Sequence, residues 1–373
     1  SYDLLSPDLQ QKLRFLSVFP APFDRPAAAA IWQVTEQTAQ PSLDTLVTAS
    51  LLDYTETTGF SLHDLVRDFL SNTLTPAESY TASYRHATHY LEVVRQVNEI
   101  FLKGGEHQLA GLQLFDACWP HIRLGQAWSV AQPSSDLEAS RLCSAYPVSA
   151  AYCLILRLHP EQQIAWRQSA LAAARRLGNK EYQGVHQGNL GLAYSALGQV
   201  EQAIDHYQQA LRIAREIGDR RNEGIHLGNL GLAYSALGQY EKAIDHYQQA
   251  LLIAREIGDR RGEGAHLGNL GNAYFSLGQV EQAIDHYQQA LRISREIGDR
   301  RGEGAWLGNL ALLYEAHNDL VRAVPLASAS LAIRQEIKMP ANEITKMENL
   351  LARLREKMGE AAFTAVLSQP PAP

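Results

Sequence analysis

Cysteine and methionine are scarce in this 373-residue chain, with three of each. Cys118, Cys143 and Cys153 are too few and too scattered for a disulfide framework or a zinc site, so a reducing cytoplasm fits best. The methionines, Met339, Met347 and Met358, fall near the far end and the first residue is Ser1. That pattern is expected of a piece cut from something longer, in which a signal peptide cannot be judged. No run of about 18 apolar residues occurs, so no membrane-spanning helix is expected. No G-x-x-x-x-G-K-[ST] occurs either, so the chain has no phosphate-binding loop with which to grip or cleave ATP. No Ser/His/Asp or Cys/His arrangement stands out, and catalysis is not expected. Basic residues are in deficit, 33 Lys+Arg against 40 Asp+Glu for a net −7, which argues against a general nucleic-acid binder. With 46% apolar and 20% charged residues the composition is that of an ordinary folded protein, and the length predicts two or three structural units.

What the chain does have is repetition. GNLGLAYSALGQ at 188–199 returns at 228–239, as GNLGNAYFSLGQ at 268–279 and, worn, as GNLALLYEAHND at 308–319. The spacing is 40 residues each time, and 183–222 matches 223–262 at 33 of 40 positions. Each unit reads as two helices. Leu190, Ala193, Tyr194 and Leu197, then Tyr207, Ala210, Leu211 and Ala214, fall at i, i+3, i+4 and i+7 and lay an apolar stripe along each. Gly198 punctuates the middle of the unit and Gly218 its end, with Asp219 as the N-cap of the next helix. Small residues at Gly191, Ala203 and Ala210 would let two helices approach closely. A lone pair cannot bury both stripes, so the units must stack.

Leu190, Gly191, Tyr194, Ala203, Tyr207 and Ala210, repeated at Leu230 to Ala250 and Leu270 to Ala290, resemble the tetratricopeptide repeat. The length matches the longer variety of kinesin light chains and many bacterial regulators. The resemblance covers about 183–339; 147–182 reads as a degenerate earlier repeat, so the array spans 147–340. Residues 341–373 are expected to form a closing helix and a frayed tail SQPPAP, with Leu326, Ala329, Ile333 and Leu350 burying the last open stripe.

The first 75 residues differ. Ser6-Pro7 opens one helix, Asp24 and Pro26 a second (AAAAIW), and a third is expected after Pro41, over Ser42 to Leu52. A hairpin around Thr58-Gly59 and a final helix HDLVRDFL complete a winged-helix pattern over 1–75. The third helix has no Lys or Arg, and 1–75 carries four basic against nine acidic residues, so DNA phosphates would be repelled. SYDLLSPDLQQKLRFLSVF, LDTLVTASLLDY and FSLHDLVRDFL resemble the winged-helix domain of the STAND (NB-ARC) signalling ATPases, which include plant disease-resistance proteins, apoptotic ATPases and bacterial regulators. Leu62-His63-Asp64 matches their Met-His-Asp motif with Leu for Met. The resemblance implies that His63, with Asp64, meets the β-phosphate of ADP held by an ATPase core before Ser1. The other reading makes His63 an N-terminal residue of the last helix, with Asp64 favourable to its dipole. Residues 76–146 are expected to be a helical linker opened by the capping box Thr75-Pro76-Ala77-Glu78, with Gly104-Gly105 and Pro120 as breaks. The segment 114–128 resembles the one that follows the winged helix in family members with repeat sensors.

The fold expected is therefore mainly α: a winged helix, a helical linker and a right-handed superhelix of repeats. The function expected is the sensor half of a bacterial STAND ATPase, monomeric and cytoplasmic. It would hold no cofactor itself; ADP or ATP would belong to the nucleotide-binding domain of the parent. The partner would be a protein or peptide trigger, with no nucleic acid or membrane involved. The alternatives are a plain adaptor, or the sensor of a transcription regulator. The trigger groove is sought where near-identical repeats differ. Ile225, Leu232, Ser235 and Ala236 become Ala265, Asn272, Phe275 and Ser276, all on one helix face, and Glu315 follows at the corresponding place in the last repeat. Positions matching these line the concave groove of tetratricopeptide proteins, and Asn189, Asn229, Asn269 and Asn309 match an inward-facing Asn that hydrogen-bonds a ligand backbone. His206, His246 and His286, beside Asp205, Asp245 and Asp285, read as a solvated face, and the series His186, His226, His266 ends in Trp306.

Overall fold

A computed structural model describes residues 2–368, and the chain divides into two compact units between Ala193 and Tyr194. The proline-rich tail at 369–373 lies outside the described residues.

The first unit begins with a 3-10 turn, Tyr2–Leu4, and α1, Pro7–Leu16. Ser6 Oγ caps α1 by accepting the Leu9 N–H, and Pro7 sits at the first helical position, where its missing N–H costs nothing. The Asp24 carboxylate does the same for α2, Arg25–Trp32, accepting the Ala27 N–H at 2.9 Å. α3 is Glu36–Thr48, not Ser42–Leu52. Its cap is Thr35, and its buried stripe Ala39, Leu43, Leu46 starts before Pro41. Pro41 and Gln37, whose carbonyl it leaves unpaired, are both exposed, so water replaces the lost bond. β1, Asp53–Thr55, and β2, Gly59–Ser61, pair antiparallel with Tyr54 opposite Phe60. Phe60 also exchanges two 2.8 Å backbone bonds with Phe23. A Cβ at Gly59 would lie 2.5 Å from the Phe23 carbonyl oxygen, and φ there is +83°, so glycine is required. α4, Asp64–Asn72, closes this part over a core of Leu13, Leu16, Ile31, Leu43, Leu46 and Leu70.

α5, Pro76–Leu102, starts with the expected capping box, in which Glu78 also binds Arg14 at 2.7 Å. The Arg14 hydrogen bond, with the Thr75 backbone N–H, holds the Glu78 carboxyl down at about 2. α5 packs along α6, Glu106–Ala131, and against α7, Leu137–Ser149. α6 runs through Pro120 unbroken; the freed carbonyl belongs to exposed Asp116. α8, Ala151–Arg157, is a short connector, and α9, Pro160–Arg176, packs on α7. The helix pair before the clear repeats therefore starts at Leu137, and a boundary at 147 falls inside α7. α10, Lys180–Ala196, follows.

The second unit is a stack of helix pairs. α11, Val200–Ile217, precedes the pairs α12, Arg220–Ala236, with α13, Tyr240–Glu256; α14, Arg260–Ser276, with α15, Val280–Glu296; and α16, Arg300–Ala316, with α17, Leu320–Glu336. Each second helix packs both on its own first helix and on the next one, which makes the stack a helical solenoid. The helices start three residues ahead of a frame set at 223, because Asp219, Asp259 and Asp299 cap them, accepting the backbone N–H of residues 222, 262 and 302. Leu270, Ala273, Tyr274, Tyr287, Ala290 and Leu291 are buried, as the stripes require. α18, Ala341–Met358, lays Met347, Leu350 and Leu354 on α17, and α19, Glu360–Leu367, adds Phe363. Ile333 is fully covered there; Leu326 and Ala329 are half-buried against the same cluster.

Candidate functional site

His63 stands exposed where β2 gives way to α4. It is the N-cap of α4: its Nδ1 accepts the Leu65 N–H at 3.3 Å. That bond fixes the tautomer, leaving the proton on Nε2, which has no hydrogen-bond partner among the described residues. Asp64 pairs with Arg67 at 2.6 Å. Leu62 is buried and anchors the pair to the core.

In the repeats, Ile225, Leu232 and Phe275 are 47%, 51% and 37% exposed, high for side chains of their size. Ala236, Ala265, Asn272 and Ser276 are exposed beside them, while Ser235 is partly covered and lies 3.5 Å from the Tyr247 hydroxyl. Asn229, Asn269 and Asn309 are half-buried on the same helices, as is Asn189 in α10. Arg221, Ile225, Asn229, Leu232, Ala265 and Asn269 border one cleft of about 250 Å³ between α12 and α14. Several of the expected groove residues are already engaged. Asn272 Oδ1 accepts the Tyr287 hydroxyl at 2.6 Å and the Asn309 amide at 3.0 Å, so it belongs partly to the packing. Glu315 binds Arg353 and Lys357 of α18, each at 3.0 Å, and the Arg353 hydrogen bond lowers its carboxyl below the usual range. It fastens the closing helix and is not open to a ligand.

The histidines are not a solvated face. His206, His246 and His286 lie flat on Tyr194, Tyr234 and Tyr274, with ring centroids 5.0–5.2 Å apart. The ring of His266 occupies the space a Cβ at Gly228 would need, and Trp306 does the same over Gly268. Tyr247 and Tyr287 likewise lie over Gly231 and Gly271. These four glycines thus make room for rings. Burial pushes His186 and His226 down to about 4 and lowers His246, His266 and His286. Among the described residues no three His, Cys, Asp or Glu side chains gather as metal ligands would.

A chain of ion pairs also crosses three successive junctions of the repeats. Glu223, Glu263 and Glu303 are almost fully covered. Each is held by an arginine of the preceding helix, Arg215, Arg255 or Arg295, at 2.8–2.9 Å, and by one of its own first turn, Arg220, Arg260 or Arg300. Those last three continue to Glu256, Glu296 and Glu336. Burial raises the Glu303 carboxyl, but hydrogen bonds from Arg295 and Arg300 outweigh it and leave a net lowering. The signal was present in the sequence as R-E-I-G-D-R-R-x-E at each junction.

Residues 164–216, 182–256, 222–296 and 262–336 each match the family model of the tetratricopeptide repeat. The segment 164–336 is built of tetratricopeptide repeats. Such repeats are protein–protein interaction modules. Nothing among the curated proteins matches the chain. Among solved structures, aspartyl phosphate phosphatase F from Bacillus subtilis is similar with a TM-score of 0.56 and 13% identity, over 97% of this chain and 84% of that one. BtubC (BKLC) from P. vanneervenii has a TM-score of 0.49 and 23% identity, over 57% and 94%. A Signal Transduction ATPase with Numerous Domains (STAND) protein with a tetratricopeptide repeat sensor, from Pyrococcus horikoshii, has 0.36 and 17%, over 98% and 65%. At these identities the likeness to the first is one of fold alone. No helix among the described residues is long and apolar enough to cross a membrane.

Proposed function

We propose that the chain is the sensing and regulatory part of a STAND (NB-ARC) signalling ATPase. The repeats take a protein or peptide trigger along their first-helix face, and 1–75 is the winged helix that holds the ADP-bound resting state of a nucleotide-binding domain carried elsewhere in the parent. The observation that carries the binding role is the row of large apolar side chains, Ile225, Leu232 and Phe275, standing in solvent beside half-buried asparagines. Aromatic and aliphatic anchors of this kind, bordered by amide groups, suit an extended peptide. Three helices, a hairpin and a helix in that order support the winged-helix reading. His63 supports the sensor role: its cap bond leaves an Nε2–H aimed at solvent, able to donate to a phosphate oxygen of another domain.

In a parent that carries a phosphate-binding loop, His63→Ala is expected to lower the ADP retained through purification and to raise basal signalling; unchanged ADP content counts against the sensor. This chain alone is expected to bind ADP or ATP negligibly, and micromolar binding by calorimetry would contradict that. The second reading, an adaptor without a nucleotide switch, is favoured by the structural task His63 already has as a helix cap.

A further inference from the structure

We infer that the groove of the repeats accepts an extended acidic peptide, whose carboxylates are met by Arg221, Arg261 and Arg301. The inference rests on the groove reading above and adds the chemistry of the occupant.

Each junction carries an arginine doublet, 220–221, 260–261 and 300–301. The first of each pair is consumed by two glutamates in the ion-pair chain. The second, Arg221, Arg261 or Arg301, is exposed and has no carboxylate or carbonyl partner among the described residues. Arg212 and Arg292 are also unpaired, but they stand on second helices. Arg221 begins the stripe 221, 225, 229, 232 that forms the groove, since these offsets keep one helix face. It borders the 250 Å³ cleft together with Ile225, Asn229, Leu232 and Asn269. Arg301 borders a second cleft with Ala305.

The first helices of successive pairs are neighbours, because the His266 ring sits against Gly228 and the Asn309 amide reaches Asn272. Packed helices lie roughly 8–10 Å apart, and an extended chain rises about 3.3 Å per residue. One step from arginine to arginine therefore corresponds to roughly three residues of peptide. Asn229 and Asn269 recur at the same step and offer backbone partners between the charges, while the Asn309 amide is partly taken by Asn272.

The charge of the unit is segregated by helix. Exposed Glu201, Glu241, Glu281, Asp205, Asp245 and Asp285 stand on second helices. Asp219, Asp259 and Asp299, two residues before the arginines, are committed to capping backbone N–H groups, and Glu343, which borders the Arg301 cleft, is paired with Arg334 and Lys346. A chain of net −7 thus presents unpaired guanidinium groups along one face. A guanidinium meets a carboxylate with two charge-assisted hydrogen bonds, and the largely apolar cleft beside Arg221 suits a peptide better than a nucleotide strand.

The test is a randomised 12-residue peptide library selected on the full chain. Expected are peptides enriched in Asp or Glu at three-residue spacing. The best of them, remade with Gln for Glu, should bind at least tenfold more weakly. Arg221→Ser/Arg261→Ser/Arg301→Ser should show the same loss with unchanged melting. Selected peptides without excess acid, lost on Asn229→Ala/Asn269→Ala but not on the arginine triple, would overturn the acidic occupant and keep the groove. Peptides indifferent to both sets of substitutions, or a library that returns no binder, would overturn both. Oligothymidylate binding that disappears in the arginine triple, without peptide binding, would overturn the peptide in favour of a nucleic acid.

Discussion

A methyl group added at Gly271 would meet the Tyr287 ring at 2.6 Å, and that ring is buried and hydrogen-bonded through its hydroxyl to Asn272. The ring cannot swing away without losing the bond, so Gly271→Ala is expected to destabilise the protein by about 1–3 kcal/mol. A urea midpoint equal to that of the parent would refute it. Asn272→Ala should also lower stability, by about 1 kcal/mol, through the orphaned tyrosine hydroxyl. Phe275→Ala, with no such bond, is therefore the cleaner probe of the groove. The histidines give the residue-scale pH dependence. His186 and His226 sit near 4 in the folded chain against 6.5 ordinarily, because burial disfavours the charged ring. Below pH 6.5 the unfolded chain takes up protons that the folded one refuses, so stability falls as the pH drops from about 6.5 towards about 4. A full displacement of that size is worth on the order of 3 kcal/mol for each ring. His226→Phe should remove part of this acid sensitivity; urea midpoints at pH 7.5 and 5.0 that differ equally in both proteins would sink the idea. The burial of His186 and His226 is hinted at in the sequence only by Trp306, which takes the fourth place in their series. For His206, His246 and His286, a polar ring beside an aspartate reads as a surface, and only the stacked tyrosine across the helix pair reveals otherwise.

At the scale of elements, legibility followed the caps. α1, α2 and α5 begin where Ser6, Asp24 and Thr75 announce them, each with a proline in the first turn. α3 starts before the place the sequence suggests, because Pro41 offers the same signal inside the helix, on its exposed side. The frame of the early repeat is hidden for a different reason. The segment 137–149 shares no motif with the later repeats, so nothing in it marks α7 as the partner of α9. The ion-pair chain is not legible from its sequence motif alone because first-turn charges usually face water. Each junction glutamate is covered yet held by two half-exposed arginines, so Glu263→Gln is expected to cost about 1–3 kcal/mol. Calorimetric melting would show it, and an unchanged transition would mean the pairs contribute nothing net. α18 and α19 cover the last stripe, so deleting 341–373 should expose Val324, Ala327 and Ile333, which belong to its cluster, and promote association. A truncated chain that stays monomeric with unchanged melting would contradict that.

Across the whole molecule, the 40-residue period was legible in full, because four copies of one phrase leave no competing frame. The groove was legible only in outline: the exposed face was readable from where copies differ, whereas Glu315 and Asn272 were already bound elsewhere for reasons no helical wheel contains. The repeated ion pairs make salt a global variable. Raising sodium chloride from about 0.05 to 0.5 M should lower the melting temperature of the repeats, as screening acts on three junctions at once, and a rise or no change would argue against their net worth. The same sameness has a consequence for inheritance. Arg255 meets Glu263 as Arg295 meets Glu303, so excising 260–299 would bring Arg255 to Glu303 across an interface the chain already knows how to make. Unequal exchange between copies such as 223–262 and 263–302, identical at 32 of 40 positions, would then lengthen or shorten the array by whole steps, with no new junction to evolve. The number of repeats is in this sense a ruler that recombination can reset, and the length of peptide that the proposed groove would span is reset with it.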